Sequence, residues 1–149
     1  MSLWNWLLGG KNSTRAKIDW LDIEARQKQI DTISNQKNQL AFKQAIIESD
    51  KLIDSILKQL AAGADFADRL KALRAKFPRD AYNQIWKAHI KRNELVHDNG
   101  SFVAEQELPT YMRIYRETVS TLETFCVRST ASSEPVMEPP MRWRSAARS

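Results

Sequence analysis

Residues that usually bind metals or form disulfides are scarce in this sequence of 149 residues. The one cysteine, Cys126, excludes an internal disulfide framework and a zinc site built from cysteines. The two histidines, His89 and His97, argue against a metal site made of histidines alone. Neither of the usual glycine-rich phosphate loops, GxGxxG and GxxxxGK followed by Ser or Thr, occurs in the sequence. We therefore expect neither a metal ion nor another cofactor.

Glycine and proline are also rare. The chain has four glycines and five prolines, and three of the prolines lie in the last fifteen residues. This scarcity argues against an all-β chain, which needs many tight turns. No apolar run exceeds about three residues, whereas a membrane-spanning helix needs about 18 or more. The first ten residues, MSLWNWLLGG, lack the basic residue and the cleavage site of a signal peptide. We therefore expect a cytoplasmic protein.

The periodicity of apolar residues predicts helices throughout the middle of the chain. The predicted helices cover 17–36, 39–61, 66–77, 80–97 and about 104–127. The connections between them are short, which is typical of an antiparallel bundle. We therefore predict an all-α domain, an antiparallel four- to five-helix bundle, over residues 15–127. Residues 1–14 then form an N-terminal Trp/Leu arm, and residues 128–149 form a disordered basic tail rich in Ser and Pro.

The N-terminal arm contains Trp4 and Trp6 beside three leucines. Tryptophan and leucine suit a membrane surface, so the arm could be an interfacial anchor. No Lys or Arg occurs among the first ten residues, however. This absence favours an arm that packs on the domain or on a partner chain.

The segment 39–61 has the strongest amphipathic pattern. Its apolar stripe recurs every three or four residues and consists of Ala41, Ala45, Ser49, Leu52, Ile56 and Leu60, widened by Ile53 and Leu57. The pattern assigns the opposite, solvent-facing side to Lys43, Glu48, Asp50, Lys51, Asp54 and Lys58.

The fourth predicted helix carries polar residues on its apolar half. At about 100° per residue, this half holds Ala81, Tyr82, Ile85, Trp86, His89, Ile90, Arg92, Asn93, Val96 and His97. An arginine cannot lose its proton, so Arg92 needs an anion or an acceptor wherever it leaves water. These groups could simply pair with residues of other helices. Their concentration within nine residues favours a functional site.

The spacing of these residues limits what one chain can do. Asn93 lies four residues from both His89 and His97, so each pair shares a stripe of the helix. Arg92 and His97 are five residues apart, which separates them by about 140° on an ideal helix. Two copies of the helix about a two-fold axis could bring Arg and His together in one cleft.

Positive charge concentrates between Arg69 and Arg92. This window has eight basic residues and one acidic residue, a net charge of +7, while the whole chain carries +5. Such a patch favours sequence-independent, salt-sensitive binding to phosphates, although it could also be an ordinary solvated surface. The predicted RNA-binding residues are Arg69, Lys71, Arg74, Lys76, Lys87 and Lys91. We expect no DNA sequence specificity.

The segment RNELVH, residues 92–97, resembles the Arg-x4-His motif of the HEPN superfamily, including the asparagine that often follows the arginine. FKQAIIESDKLIDSILKQL resembles the early helix of small bacterial HEPN-like proteins, and IWKAHIKRNELVH resembles their motif helix. The similarity covers about residues 40–125. Many toxin-type members carry a tyrosine two positions after the histidine, and this chain has Asn99 there.

The resemblance implies a helical bundle that dimerises through the motif helices. For active members it implies a metal-independent endoribonuclease, in which a 2′-OH attacks the adjacent phosphorus and leaves a 2′,3′-cyclic phosphate and a 5′-OH. Arg92, Asn93 and His97 are the catalytic residues that it implies. His97 would transfer a proton near neutral pH, and Arg92 would stabilise charge on the phosphoryl oxygens. Asn93 would orient the histidine or hold an oxygen, and His89 is an accessory participant that the motif does not require.

Three functions fit these observations. The first is a HEPN ribonuclease of toxin or defence type, for which a nucleotidyltransferase-type antitoxin is a common partner. The second is a HEPN module that binds RNA or a nucleotide without cleaving it, because a fold alone does not give an activity. The third is a homodimeric interaction module, in which the motif residues are only polar groups of the interface.

Overall fold

The computed structural model describes residues 17–131, and these residues contain five α-helices, one 3-10 turn and no strand. The helices are α1 (Trp20–Ser34), α2 (Gln39–Leu60), α3 (Phe66–Ala72), α4 (Arg79–His97) and α5 (Leu108–Ala131), and the 3-10 turn is Arg74–Lys76. The predicted all-α class is therefore confirmed. The predicted arm, residues 1–14, lies outside the described part of the chain, as does the predicted tail from residue 132 onward.

Side-chain caps fix where the first three helices begin. Asp19, Asn38 and Asp65 each accept a hydrogen bond from the backbone N–H three residues later, at 3.1, 2.8 and 2.9 Å. An N-terminal cap of this kind typically stabilises a helix by about 1 kcal/mol. The positions of these helices are therefore encoded locally, before any tertiary contact forms.

Two helix ends differ from the sequence prediction. α3 ends at Ala72 rather than at residue 77, and the 3-10 turn follows it. Phe77 then adopts an extended conformation, because Pro78 disfavours the helical conformation in the residue before it. α5 begins at Leu108 and not at 104, so that Pro109 occupies its first turn, where a missing N–H costs nothing. It continues to Ala131, four residues beyond the predicted helix end at residue 127.

α2 is the central helix of the bundle and packs against α1, α3, α4 and α5. The predicted stripe of α2 is buried, and Ile53, Ile56 and Leu57 are fully inaccessible to solvent. Gln39 at the start of α2 also accepts a hydrogen bond from the backbone N–H of Val103 at 3.0 Å. This contact attaches the connection between α4 and α5 to α2 and fixes the end of α4.

Two burial predictions are wrong. Asp50, assigned to the solvent side of α2, is only 3% exposed, because it follows Ile46 by one turn and precedes Ile53 by three residues on a fully buried stripe. Ile90 and Val96, assigned to the apolar half of α4, are 55% and 45% exposed, and His97 is exposed as well. The reason is that the face by which α4 packs on α2 and α5 is rotated from the predicted half. Its buried residues are Ile85, Ala88, His89 and Leu95, of which Ala88 and Leu95 lie outside that half.

None of the helices within residues 17–131 combines the length and the apolar character that crossing a membrane requires.

Candidate functional site

A buried carboxylate and a buried imidazole meet where α2 packs on α4. Nδ1 of His89 lies 3.0 Å from one carboxylate oxygen of Asp50 and 3.1 Å from the other. The His89 ring stacks on Phe66 of α3, with 3.9 Å between the ring centroids and 4° between the planes. Three helices therefore hold this imidazole in one orientation.

Arg92 and Asn93 join Asp50 and His89 in a closed ring of polar contacts, which we call the circuit. Nε of Arg92 lies 3.7 Å from Asp50 Oδ2, and Nη1 of Arg92 donates a hydrogen bond to Asn93 Oδ1 at 2.9 Å. Because the asparagine oxygen faces a donor, its Nδ2 faces His89, at 3.3 Å from Nε2. His89 Nε2 then accepts, and Nδ1 carries the proton donated to Asp50. The four side chains thus fix one another's orientation.

Tyr115 adds a fifth member from α5. Its hydroxyl donates to the backbone carbonyl of Ala88 at 3.2 Å and lies 3.4 Å from Asp50 Oδ1. Burial raises the pKa of Tyr115 well above its ordinary value, and the negative charge of Asp50 acts in the same direction. The phenol therefore stays protonated and remains a donor. We call Asp50, His89, Arg92, Asn93 and Tyr115 the Asp50 cluster.

The guanidinium of Arg92 is anchored but keeps an unused donor. Its Nε is buried and has no hydrogen-bond partner among residues 17–131, although it lies within ion-pair distance of Asp50. The side chain is nevertheless 27% exposed. Arg92 therefore presents a fixed positive charge to the solvent beside the cluster, which is what binding a phosphate requires.

The Asp50 cluster borders a pocket of about 490 Å³, which we call the site pocket. Its lining combines three aspartates with four basic residues and includes Asp50, Lys51, Asp54, Lys58, Ala64, Asp65, Phe66, Ala67, Arg69, His89, Arg92 and Asn93. Arg69 donates to Asp54 at 2.8 Å, so part of the positive charge is neutralised locally. The pocket is therefore mixed in charge, and Arg92 lies in its wall.

The structure brings together only some of the residues that the sequence proposed for catalysis. Arg92, Asn93 and His89 lie within one hydrogen-bonded circuit. His97 lies on the exposed side of α4, eight residues after His89, which is about 12 Å along the helix axis. His89 contacts both Asp50 and Asn93, and one chain does not place His97 beside this circuit.

The six residues proposed to bind RNA have different surroundings. Arg69 is paired with Asp54, Lys91 lies 3.8 Å from Glu94, and Lys87 is exposed. The other three place their charged groups over aromatic rings: Lys71 over Trp86 at 5.9 Å, Arg74 over Tyr82 at 5.6 Å, and Lys76 over Phe125 at 5.0 Å. Arg69 lines the site pocket, whereas Lys71 and Arg74 line a separate depression.

Sequence reasoning missed Asp50 and Tyr115. A signal for Asp50 existed, because Ile46, Asp50, Ile53 and Leu57 follow the spacing of four, three and four residues that defines one helix stripe. A carboxylate inside such a stripe needs partners, and Arg92 was a side chain in need of an anion. For Tyr115 the sequence carried no comparable signal, since a tyrosine on an apolar face is ordinary core.

Among the residues that the structure describes, no three or more His, Cys, Asp or Glu side chains are grouped so that they could hold a metal ion. No family model matches the chain, and neither a curated protein nor a solved structure matches it. The described residues thus form a helical bundle in which a buried Asp50 and His89 hold a half-buried Arg92 and Asn93.

Proposed function

We propose that this chain is a HEPN-like, metal-independent endoribonuclease that acts as a homodimer. The observation that carries the proposal is the anchoring of Arg92. Asp50 and Asn93 hold its guanidinium in the wall of the site pocket, while part of the side chain stays accessible. The Arg-x4-His segment that suggested the family thus contains an arginine preorganised for an anion.

The chemistry of RNA cleavage fits the side chains of this segment. The 2′-OH attacks the neighbouring phosphorus as the 5′-oxygen leaves, so one proton must leave and another must arrive. His97 is exposed, and a histidine that transfers a proton in the transition state typically contributes about 10²–10⁴-fold to a rate. Arg92 would stabilise the negative charge that grows on the phosphoryl oxygens in the transition state. Asp50 and His89 act as positioning residues for Arg92 and Asn93.

Dimerisation is part of the proposal because Arg92 and His97 point away from each other on one helix. They are five residues apart, which corresponds to about 140° around the helix axis. The exposed Ile90 lies on the same stripe as His97, seven residues earlier, and is 55% exposed. Packing of α4 against a second copy would cover Ile90 and His97, and the proposal requires the partner subunit's His97 to reach Arg92 from the rim of that interface, because Arg92 lies about 160° from Ile90 around the helix.

The decisive experiment is RNA cleavage in EDTA by the wild type and by His97→Gln. Purified proteins are incubated with structured and unpaired RNAs, and the ends are analysed for 2′,3′-cyclic phosphate. We expect the substitution to lower the rate by about 100-fold or more, because it removes the proton-transferring group. Glu94→Gln, which is also exposed on α4, is the matched control and should cleave like the wild type. Circular dichroism confirms that all three proteins have equal helicity.

Two results would overturn the catalytic proposal. One is that no protein cleaves any RNA, and the other is that His97→Gln cleaves like the wild type. Binding measurements then separate the alternatives. RNA or nucleotide affinity that Arg92→Gln weakens would support a non-catalytic HEPN module, and a loosened dimer without any nucleic-acid effect would support an interaction module. Growth arrest on expression, relieved by a nucleotidyltransferase-type protein, would support the toxin form.

A further inference from the structure

A second depression lies at the C-terminal end of α3, whereas the lining of the site pocket includes the N-terminal end of this helix. This depression has a volume of about 660 Å³, and we call it the basic groove. It is formed where α3, the 3-10 turn and the first turns of α4 meet, and its lining is Lys71, Ala72, Arg74, Ala75, Phe77, Arg79, Tyr82 and Asn83. Three of these residues are cationic and none carries a carboxylate. The groove is therefore positively charged without internal compensation.

Aromatic rings hold two of these cations in place without neutralising them. The ammonium of Lys71 lies 5.9 Å from the centre of the Trp86 ring, and the guanidinium of Arg74 lies 5.6 Å from the centre of the Tyr82 ring. A cation–π contact restrains a flexible side chain while leaving its net charge and its outer N–H donors available to an anion. Lys71 and Arg74 are both exposed, so their charged groups are accessible.

The contrast with the site pocket shows where a polyanion would bind. Four basic residues of the site pocket share its wall with three aspartates, and Arg69 is already paired with Asp54 at 2.8 Å. Unlike the site pocket, the basic groove gathers cations of the predicted basic window without an acidic residue in the same wall. Arg79, which the sequence interpretation left out of the RNA-binding set, belongs to it.

The side chain of Trp86 lies between the basic groove and the Asp50 cluster. The Trp86 ring, which lies under Lys71, meets the His89 ring edge to face, with 6.3 Å between their centroids. His89 in turn contacts Asp50 and lines the site pocket. Trp86 therefore connects the Lys71 wall of the groove with His89 in the wall of the site pocket.

We propose that the basic groove binds the phosphate backbone of single-stranded RNA next to the site pocket. This proposal adds a binding surface to the proposed nuclease. It rests on the proposed function for one point, namely that the bound strand continues into the site pocket. The ligand class follows from the lining, because cations beside aromatic rings are the usual composition of sites for unpaired strands. Lys71, Arg74 and Arg79 contact phosphates, and Tyr82 and Trp86 border the bases. No covalent step occurs in the groove.

The test is RNA binding by a triple variant, Lys71→Gln, Arg74→Gln and Arg79→Gln. Both this protein and its reference carry His97→Gln, so that the RNA stays intact. The matched control is Lys28→Gln, Lys37→Gln and Arg113→Gln in the same background, which removes the same charge from exposed positions that do not line the groove. Fluorescence anisotropy follows a labelled, unpaired 16-nucleotide RNA between 50 and 300 mM KCl. Equal helicity by circular dichroism shows that the variants are folded.

We expect the groove variant to lose about tenfold or more in affinity at low salt, because it loses its phosphate contacts. The slope of log K against log salt should flatten by about 2, since each lost contact to a single strand removes about 0.7. The control variant should keep the slope of the reference protein. Duplex RNA of the same length should compete less well than the unpaired RNA.

Three outcomes would overturn the groove proposal. The first is equal RNA affinity of the two triple variants. The second is that duplex RNA binds as tightly as unpaired RNA. The third is that the groove substitutions abolish binding to anionic lipid vesicles while RNA binding persists. Each failure is distinguishable from failure of the proposed function. If the wild type does not cleave but the groove variant alone loses RNA affinity, the groove is confirmed and the nuclease is not. If the wild type cleaves, and the three groove substitutions change neither RNA affinity in the His97→Gln background nor cleavage in the wild-type background, the nuclease is confirmed and the groove is not.

Discussion

Asp50 and His89 are 39 residues apart in the chain, yet the imidazole Nδ1 lies 3.0 Å from the carboxylate in the bundle interior. Their side chains are 4% and 11% exposed, so water contributes little to their solvation. Tyr115 of α5 also approaches the carboxylate, at 3.4 Å. One acidic side chain therefore connects α2 with both α4 and α5. A buried charge with partners on two other helices fixes the register of all three, because a sliding helix would leave it unpaired.

The first prediction concerns the loss of this carboxylate. Asp50→Ala should lower the free energy of unfolding by about 3–5 kcal/mol, because removing one partner leaves the buried Arg92 and His89 without compensation. Asp50→Asn keeps the shape and some hydrogen bonds, and should cost less. Urea unfolding at pH 7, followed by circular dichroism, measures both changes. The asparagine variant keeps the test informative if the alanine variant does not fold.

The control for Asp50 is an aspartate in a surface ion pair. Asp31 pairs with Arg116 at 3.0 Å, and their side chains are 43% and 61% exposed. Asp31→Ala should cost no more than about 1 kcal/mol, because solvent already screens the pair. Equal costs for Asp31→Ala and Asp50→Ala would show that the buried contacts contribute no stability.

Much of the fold could be predicted from local patterns. Helix α2 combines an apolar stripe at helical spacing with a capping asparagine, Asn38, and both signals act within one or two turns. The range predicted for α4 was also close, since Pro78 restricts where that helix can begin. The exact burial on α4 could not be predicted, because a helical projection does not say which side of the helix the other helices cover. Ile90 and Val96 show this limit.

The site was half predictable, for a related reason. Arg92, Asn93 and His89 lie on one helix, and their spacing alone suggested that they act together. Asp50 comes from a different helix, and its partnership depends on how α2 packs against α4, which no local pattern states. Tyr115 depends on a third helix in the same way. Residues that share a helix could therefore be grouped from the sequence, whereas contacts between distant helices required the structure.

The second prediction concerns the exposed side of α4. If this side packs against a second copy of the chain, Ile90→Glu should convert the dimer to a monomer, because burying an unpaired carboxylate is costly. The substitution should not disturb the fold, since Ile90 is 55% exposed. Sedimentation or light scattering gives the mass in solution, and circular dichroism gives the helicity.

Leu40 provides the matched control for Ile90. It is another exposed aliphatic residue, 77% accessible, and it lies at the start of α2. Leu40→Glu should leave the dimer intact. A wild-type protein that is monomeric at all concentrations would contradict the dimer, and an Ile90→Glu protein that remains dimeric would move the interface away from this side of α4.

The last prediction follows from the buried phenol of Tyr115. Its pKa is raised well above the ordinary value of 10, first by burial and then by Asp50. The folded protein thus keeps the phenolic proton more firmly than the unfolded chain does. The resulting stability is fully present below pH 10 and is lost as the pH rises above 10, at a rate that approaches about 1.4 kcal/mol per pH unit.

Tyr115→Phe removes the titrating group while keeping the ring. At pH 8 the variant should be less stable than the wild type by about 0.5–1.5 kcal/mol, because the hydrogen bond to the Ala88 carbonyl is lost. Between pH 8 and pH 11 this difference in the free energy of unfolding should shrink by about 1.4 kcal/mol. The reason is that the phenol ionises more easily in the unfolded chain than in the folded one, and only the wild type has this phenol. Urea unfolding at the two pH values measures both differences, and groups common to the two proteins cancel. A difference that stays constant would mean that the phenol ionises equally easily in both states, and the proximity of Asp50 would then have no energetic consequence.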